Sequence, residues 1–274
     1  MTDAVRTATR VVAAVIIPFL VVASVLLYLL PTTTGELFAW TIEPRLSAMF
    51  LGCAYIGGIW FFGRVLRARR WHHVKYGFPA VILFASLLGI ATLLHWDRFH
   101  FGHISFITWT TLYLTTPFAV LAVTLRNWDA DPATPDRGDF AIPLPARALL
   151  AVVGAASLVC GLTLFAVPTL ATEAWAWSLT PLTARVVGAI LTLPGAVNLF
   201  LLRDARWSAF RLIFQAQLVS LGFIVLALVI ARADLVGPRP VVAALIVGLV
   251  GSLLAYVAFY AYCERRRAPS AVGE

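Results

Sequence analysis

Two glutamates and two tryptophans have the types and spacing best suited to recognition: Glu36 and Trp40 early in the chain, Glu173 and Trp177 later. A carboxylate four residues before an indole offers charge attraction and a cation–π face, so these are candidate ligand-binding residues for a basic or amphipathic molecule. A second set, His95, His100 and His103 beside Asp97, brings together three imidazoles and a carboxylate. That donor set suits zinc or copper. The plainer readings are interfacial, with tryptophans in a headgroup belt, solvated acids, and histidines as polar aromatics at the boundary. No stronger chemistry is written in the chain. It has no Walker loop, no G-x-S-x-G and no H-E-x-x-H, so no catalytic residue or cofactor is assigned and an enzyme is the less favoured class.

The segment that must position the first set occurs twice. Residues 31–52 read PTTTGELFAWTIEPRLSAMFLG and residues 168–188 read PTLATEAWAWSLTPLTARVVG. Aligned from their prolines, Pro31, Glu36, Ala39, Trp40 and Pro44 meet Pro168, Glu173, Ala176, Trp177 and Pro181. After one extra residue, Arg45, the match resumes with Leu46 and Gly52 facing Leu182 and Gly188. In the same frame Arg70-Trp71 falls opposite Arg206-Trp207. Ordered identities with a single insertion mark an internal duplication.

The class follows from composition. With 61% hydrophobic and only 12% charged residues, and a mean hydropathy of +0.90, the chain is far more apolar than a soluble domain. The net charge of +8 sits in short arginine patches between apolar runs, which is a membrane pattern and not a nucleic-acid one. Cys53, Cys160 and Cys263 are scattered and imply neither a disulfide framework nor a zinc site.

Eight apolar runs, each near the roughly 20 residues a helix needs to cross the hydrocarbon, fall at 11–30, 46–62, 78–94, 104–125, 148–167, 182–202, 209–231 and 240–262. The first is too long for a signal h-region, and its counterpart at 148–167 is internal, so it is expected to be a retained helix. Only Arg45, Arg98, Arg185, Arg232 and Arg239 of the 21 Lys and Arg residues fall on the odd-numbered loops. The positive-inside rule then places both termini in the cytoplasm and the chain in the plasma membrane as a multi-pass protein.

The expected fold is an all-α integral membrane protein with eight transmembrane helices, built as a tandem duplication of a four-helix unit. Four helices return the chain to its starting side, so the repeats are parallel and related by an axis along the membrane normal. The units are residues 1–126 and 147–263, joined by a cytoplasmic linker, 127–146, and followed by a cytoplasmic tail, 264–274. Asp129, Asp131, Asp136 and Asp139 in the linker lack the closing glutamate of a calcium loop, and a solvated linker is expected. His72 and His73, in a basic loop, are expected to face head groups or solvent.

No charged residue lies near the middle of any apolar run, which disfavours a proton-driven pump. Softer polar groups remain: Thr108, Thr110, Thr111, Thr115 and Thr116 ahead of Pro117, then Thr192 and Asn198, then Gln215 and Gln217. The four-plus-four plan is similar to that of haem A synthases in helix count alone. Their haem ligands are histidines within helices of both halves, and the second half here has no histidine, so a bis-histidine haem in each repeat is excluded. Three functions are weighed. They are transport or binding of a small molecule or lipid in a cleft between the halves, a structural or accessory subunit of a membrane complex, and a metal-dependent membrane enzyme using the outer histidines. The bilayer is the expected partner, with a small-molecule or lipid ligand and no nucleic acid.

Overall fold

The computed structural model describes residues 3–267, and among them every long element is a helix. Eight are long and apolar enough to cross a membrane: α1 (Thr7–Leu29), α2 (Arg45–Arg67), α3 (Gly77–Leu94), α4 (Ile104–Ala130), α5 (Leu144–Ala166), α6 (Pro181–Leu202), α7 (Trp207–Ile230) and α8 (Arg239–Arg266). This is the architecture of a polytopic membrane protein. Several helices outrun their apolar runs at one end, as α2 does through Arg64 and Arg67. Basic side chains there complement the negative end of the helix dipole and need no hydrocarbon. The expected tail 264–274 begins inside α8, and residues 268–274 lie outside the described residues.

Packing sorts the helices into two rings. In the inner ring α2 packs against α7, and α3 against α6. In the outer ring α1 covers α2, α4 covers α3, α5 covers α6 and α8 covers α7. Phe118 of α4, Val152 of α5 and Val247 of α8 point outward and are exposed, as lipid-facing residues are. The closest pair is α5 with α6. A Cβ on Gly188 would lie 2.5 Å from the Gly161 carbonyl and 2.9 Å from the Phe165 amide, and one on Gly195 would lie 2.7 Å from the Gly154 carbonyl. Without a hydrophobic drive between helices in lipid, such small-residue contact is what holds two backbones together. Gly188→Ala is therefore expected to cost about 1–3 kcal/mol. Gly63→Ala, whose Cβ would meet nothing within 4 Å, should be neutral or gain up to about 1 kcal/mol. Apparent melting temperatures of the detergent-purified variants check the contrast.

The two similar segments, 31–52 and 168–188, connect α1 to α2 and α5 to α6, at one end of the bundle, here the motif end. In each, the buried alanine of the motif offers its carbonyl to the next long loop. Ala39 accepts from the His100 amide at 2.9 Å, and Ala176 from the Gly237 amide at 3.0 Å. Asp234, on the loop before α8, accepts from the Leu46 amide at 2.9 Å and so caps the N-terminus of α2.

At the opposite end, the linker end, the structure corrects two expectations. The linker is docked, because its aspartates have cations to meet. Arg206, buried, donates to both oxygens of Asp131 at 2.9 and 2.7 Å and to Asp204 at 2.6–3.1 Å. Tyr76 adds a hydrogen bond to Asp204 at 2.9 Å, and Lys75 stands 3.4 Å from Asp131. Burial alone would raise the Asp131 and Asp204 carboxyls, but hydrogen bonds and charge from Arg206 hold both below the usual carboxylate range. Burial, with Asp204 alongside, pushes the Tyr76 phenol up. The second correction concerns His72, which is 1% exposed and bonded to Asp3, not solvated.

Candidate functional site

The inner ring does not fill its own centre. Gly57 lets α2 approach α7 closely, since a Cβ there would lie 3.0 Å from the Ala216 carbonyl, but beyond that contact a cavity of about 310 Å³ remains, with the small residues Ala54 and Ala80 in its wall. That is within the range of small-molecule sites. All eight helices contribute to the wall, and the wall is mostly apolar, with Phe50, Phe61, Phe84, Ile190 and Leu249 among its members.

Its polar groups are few and uncharged. The Tyr55 and Tyr113 hydroxyls, from α2 and α4, bond each other at 2.6 Å. Asn198 donates to the Tyr256 hydroxyl at 2.7 Å, but its own carbonyl oxygen is buried without a partner among the described residues. Gln217, midway along α7, is the extreme case, since both its amide nitrogen and its amide oxygen are buried without partners. A buried amide normally finds partners, because leaving it unsatisfied costs on the order of 1–3 kcal/mol. Ser220, one turn on, is already committed to the Cys53 carbonyl at 2.8 Å. A ligand offering both a donor and an acceptor would complete Gln217. A cation or anion would meet no counter-charge here.

The residues singled out in the sequence lie elsewhere. Trp40 and Trp177 are buried, at 2% and 1% exposure, so neither ring lies on a lipid-facing surface. Trp40 packs between Phe38, Phe99 and Trp109. Trp177 reaches across to α2, donating to the Ser47 hydroxyl at 2.8 Å and packing 5.7 Å from Phe50, a cavity residue. Glu36 and Glu173 are exposed at the motif end. None of the four lines the cavity itself.

His95, His100 and His103 take separate partners and are not brought together. His95 accepts from Arg185 at 2.7 Å, and burial, reinforced by that guanidinium, holds it below the usual imidazole range. His100 bonds the Phe38 carbonyl and Thr41, while His103 bonds Ser105 and caps α4. Of the threonines ahead of Pro117, Thr115 donates to the Thr111 carbonyl and Thr116 reaches the cavity wall. Asn198 and Gln217 were visible as polar residues in apolar runs. Tyr55 was not singled out, and its signal is only that it stands at the same helical depth as Tyr113. Compared with protein families, with curated proteins and with solved structures, the chain matches none.

Proposed function

We propose that the chain is a tandem duplication of a four-helix unit, and that its copies enclose a central site which binds or transports a small, neutral, lipid-soluble molecule. One observation carries the reading, namely which residues line the cavity. From α2 they include Ala54, Tyr55, Gly57, Gly58, Phe61 and Phe62, and from α6 Ile190, Leu191, Leu193, Pro194, Val197 and Asn198. These are partners, one for one, in the frame that sets Leu46 opposite Leu182. The same holds for Ala80, Val81 and Phe84 on α3 against Ala216, Gln217 and Ser220 on α7, in the frame of Trp71 and Trp207. A cavity whose two walls are equivalent positions lies on a twofold axis between copies.

Independent details support the same frame. Contacts between the halves exchange as a twofold requires, α2 with α7 and α6 with α3. Trp71 packs at a tilt against Phe78, and Trp207 likewise against Phe214. The Val5 amide bonds the Arg69 carbonyl, and the Ile142 amide bonds that of Ala205. By that measure the second copy reaches back into the linker, to about Asp139.

The polar wall is not duplicated. Gln217 stands opposite Val81, Asn198 opposite Phe62, and Tyr55 opposite Leu191. This asymmetry supports a ligand with one polar end. On this reading Trp177, through Phe50, closes the cavity toward the motif end, Trp40 holds the matching layer of the other half, and Glu36 and Glu173 mark the rim. The linker end, with most of the arginines, is cytoplasmic, and the membrane is the plasma membrane. Entry from lipid is favoured between α5 and α8. The matching seam, α1 with α4, is closed by Asn127 donating to Thr9 at 2.7 Å, whereas α5 and α8 make no comparable contact.

Native mass spectrometry of protein released gently from detergent tests the proposal. One neutral, organic-extractable molecule per chain is expected. A bare chain that also takes up no added neutral lipid or isoprenoid alcohol would contradict it.

A further inference from the structure

At the linker end, and apart from the central cavity, three elements meet around two imidazoles. His72 and His73 form the turn between α2 and α3, Asp136 comes from the linker, and Asp3 precedes α1. Among the described residues, His72, His73 and Asp136 are the one group of His, Cys, Asp or Glu side chains whose ligand atoms lie within 4.8 Å of one another. We propose that this group is a binding site for a divalent first-row transition ion of the zinc type, held by His72 Nε2, His73 Nε2 and Asp136.

The argument starts with protons. Asp3 takes His72 Nδ1 at 2.5 Å and the His72 amide at 3.1 Å, so Nδ1 carries the hydrogen. A carboxylate holding the far nitrogen of a metal-ligating imidazole is the usual outer partner, and it turns the other nitrogen's lone pair toward the ion. His72 Nε2 then faces Asp136 Oδ1 at 3.4 Å and the Ser208 hydroxyl at 3.3 Å. That hydroxyl lies 2.6 Å from Asp139 Oδ2, which as a carboxylate only accepts, so its hydrogen goes there. The buried Nε2 is left facing the Asp136 carboxylate, and either a metal ion or a proton must join the two. The second oxygen of Asp136 faces His73 Nε2 at 2.7 Å. Ligand atoms around a tetrahedral ion with bonds of about 2.0–2.1 Å stand about 3.3 Å apart. The 2.7 Å between His73 Nε2 and Asp136 Oδ2 would open slightly to admit one, and one ligand atom from each of the three residues already lies within 4.8 Å of the others.

Charge agrees. Among the described residues, Asp3, Asp136 and Asp139 face one guanidinium, that of Arg70 on Asp136, leaving two negative charges for a divalent ion to balance. Arg70 is more than half exposed and occupies Asp136 Oδ1, which leaves Oδ2 as the ligand atom. Two imidazoles and a carboxylate select zinc-like ions over calcium or magnesium, which prefer all-oxygen cages. Because Asp136 belongs to the linker and His72 and His73 to the first half, a bound ion would staple the linker across the base of the bundle.

The test uses the full chain in detergent, stripped with chelator and titrated with zinc chloride. One equivalent per chain and a raised melting temperature are expected. Cobalt(II) should give the visible absorption of a four- or five-coordinate site. His73→Gln, at a partly exposed position, and Asp136→Asn should each weaken zinc binding at least tenfold, and Asp3→Asn by about 10–100-fold. His100→Gln at the motif end should leave it unchanged, and circular dichroism confirms that each variant is folded. Less than 0.2 equivalent bound, or unchanged affinity in both folded His73→Gln and Asp136→Asn, would overturn the proposal and leave a protonated His72 as the cation of the cluster.

Discussion

Replacing Arg206 by alanine is expected to destabilise the protein by about 3–5 kcal/mol, the usual cost of removing one partner from a buried ion pair. Arg206 is the only cation that touches Asp131 and Asp204 together, with Lys75 3.4 Å from the first and no cation but Arg206 paired with the second among the described residues. Its loss would strand two buried carboxylates and release the linker from the α6–α7 turn. The triple variant Arg206→Ala, Asp131→Asn, Asp204→Asn should recover part of the loss, since the stranded charges are then gone. Acid should reproduce the effect in the wild type. Both carboxyls are held below their ordinary values, so their contribution is complete above about pH 4 and is lost as pH falls through the lowered values. Thermal unfolding in detergent from pH 7 down to about pH 2 measures both, with the loss in wild type growing below about pH 4. A melting temperature unmoved in Arg206→Ala would mean the network is decorative.

Gln217→Leu is expected to move stability and binding in opposite directions. The substitution removes two buried polar atoms that have no partner and replaces them with a side chain of similar volume. Relief of that unsatisfied amide should stabilise the ligand-free protein by about 1–3 kcal/mol. The same change removes the group best placed to fix a ligand's polar end, so occupancy of the cavity should fall at least tenfold. Residues kept for binding at a cost in stability show this signature. Thermal shift and native mass spectrometry on the same preparation read both arms. A variant that loses stability and keeps its ligand would assign Gln217 to packing.

Much of the scaffold was legible because lipid imposes a simple rule. Eight runs of about 20 apolar residues correspond to eight helices, and the larger boundary differences come mostly where charged or polar residues extend a helix past the hydrocarbon. The likeness of segments 31–52 and 168–188 was equally visible, but the role of their residues was not. Trp40 and Trp177 have the composition of interface anchors, and only the fold turns them inward, onto Trp109 and Ser47. The cavity was hidden for a related reason: small residues such as Gly57, Ala54 and Ala80 look alike in sequence, and whether one meets a neighbour, as Gly57 meets Ala216, or borders a hollow depends on helix spacing. At the linker end, four aspartates among prolines suggest a solvated connector. Their partners, Arg206 and His73, are far away in sequence, and no local pattern announces such a pairing. His95, His100 and His103 teach the converse, since proximity in sequence did not bring their ring nitrogens together.

The central claim is a single ligand cavity on the axis between two equivalent halves. An experimental density map of the full chain in lipid nanodiscs, with a bound antibody fragment for alignment, tests it most directly. The account predicts continuous non-protein density between the Tyr55–Tyr113 pair and Gln217. It also predicts that α1–α4 superpose on α5–α8 by a rotation of about 180° with Trp71 landing on Trp207. Inner helices closed side chain to side chain with no density between them, or a best superposition that pairs α2 with any helix but α6, would contradict it.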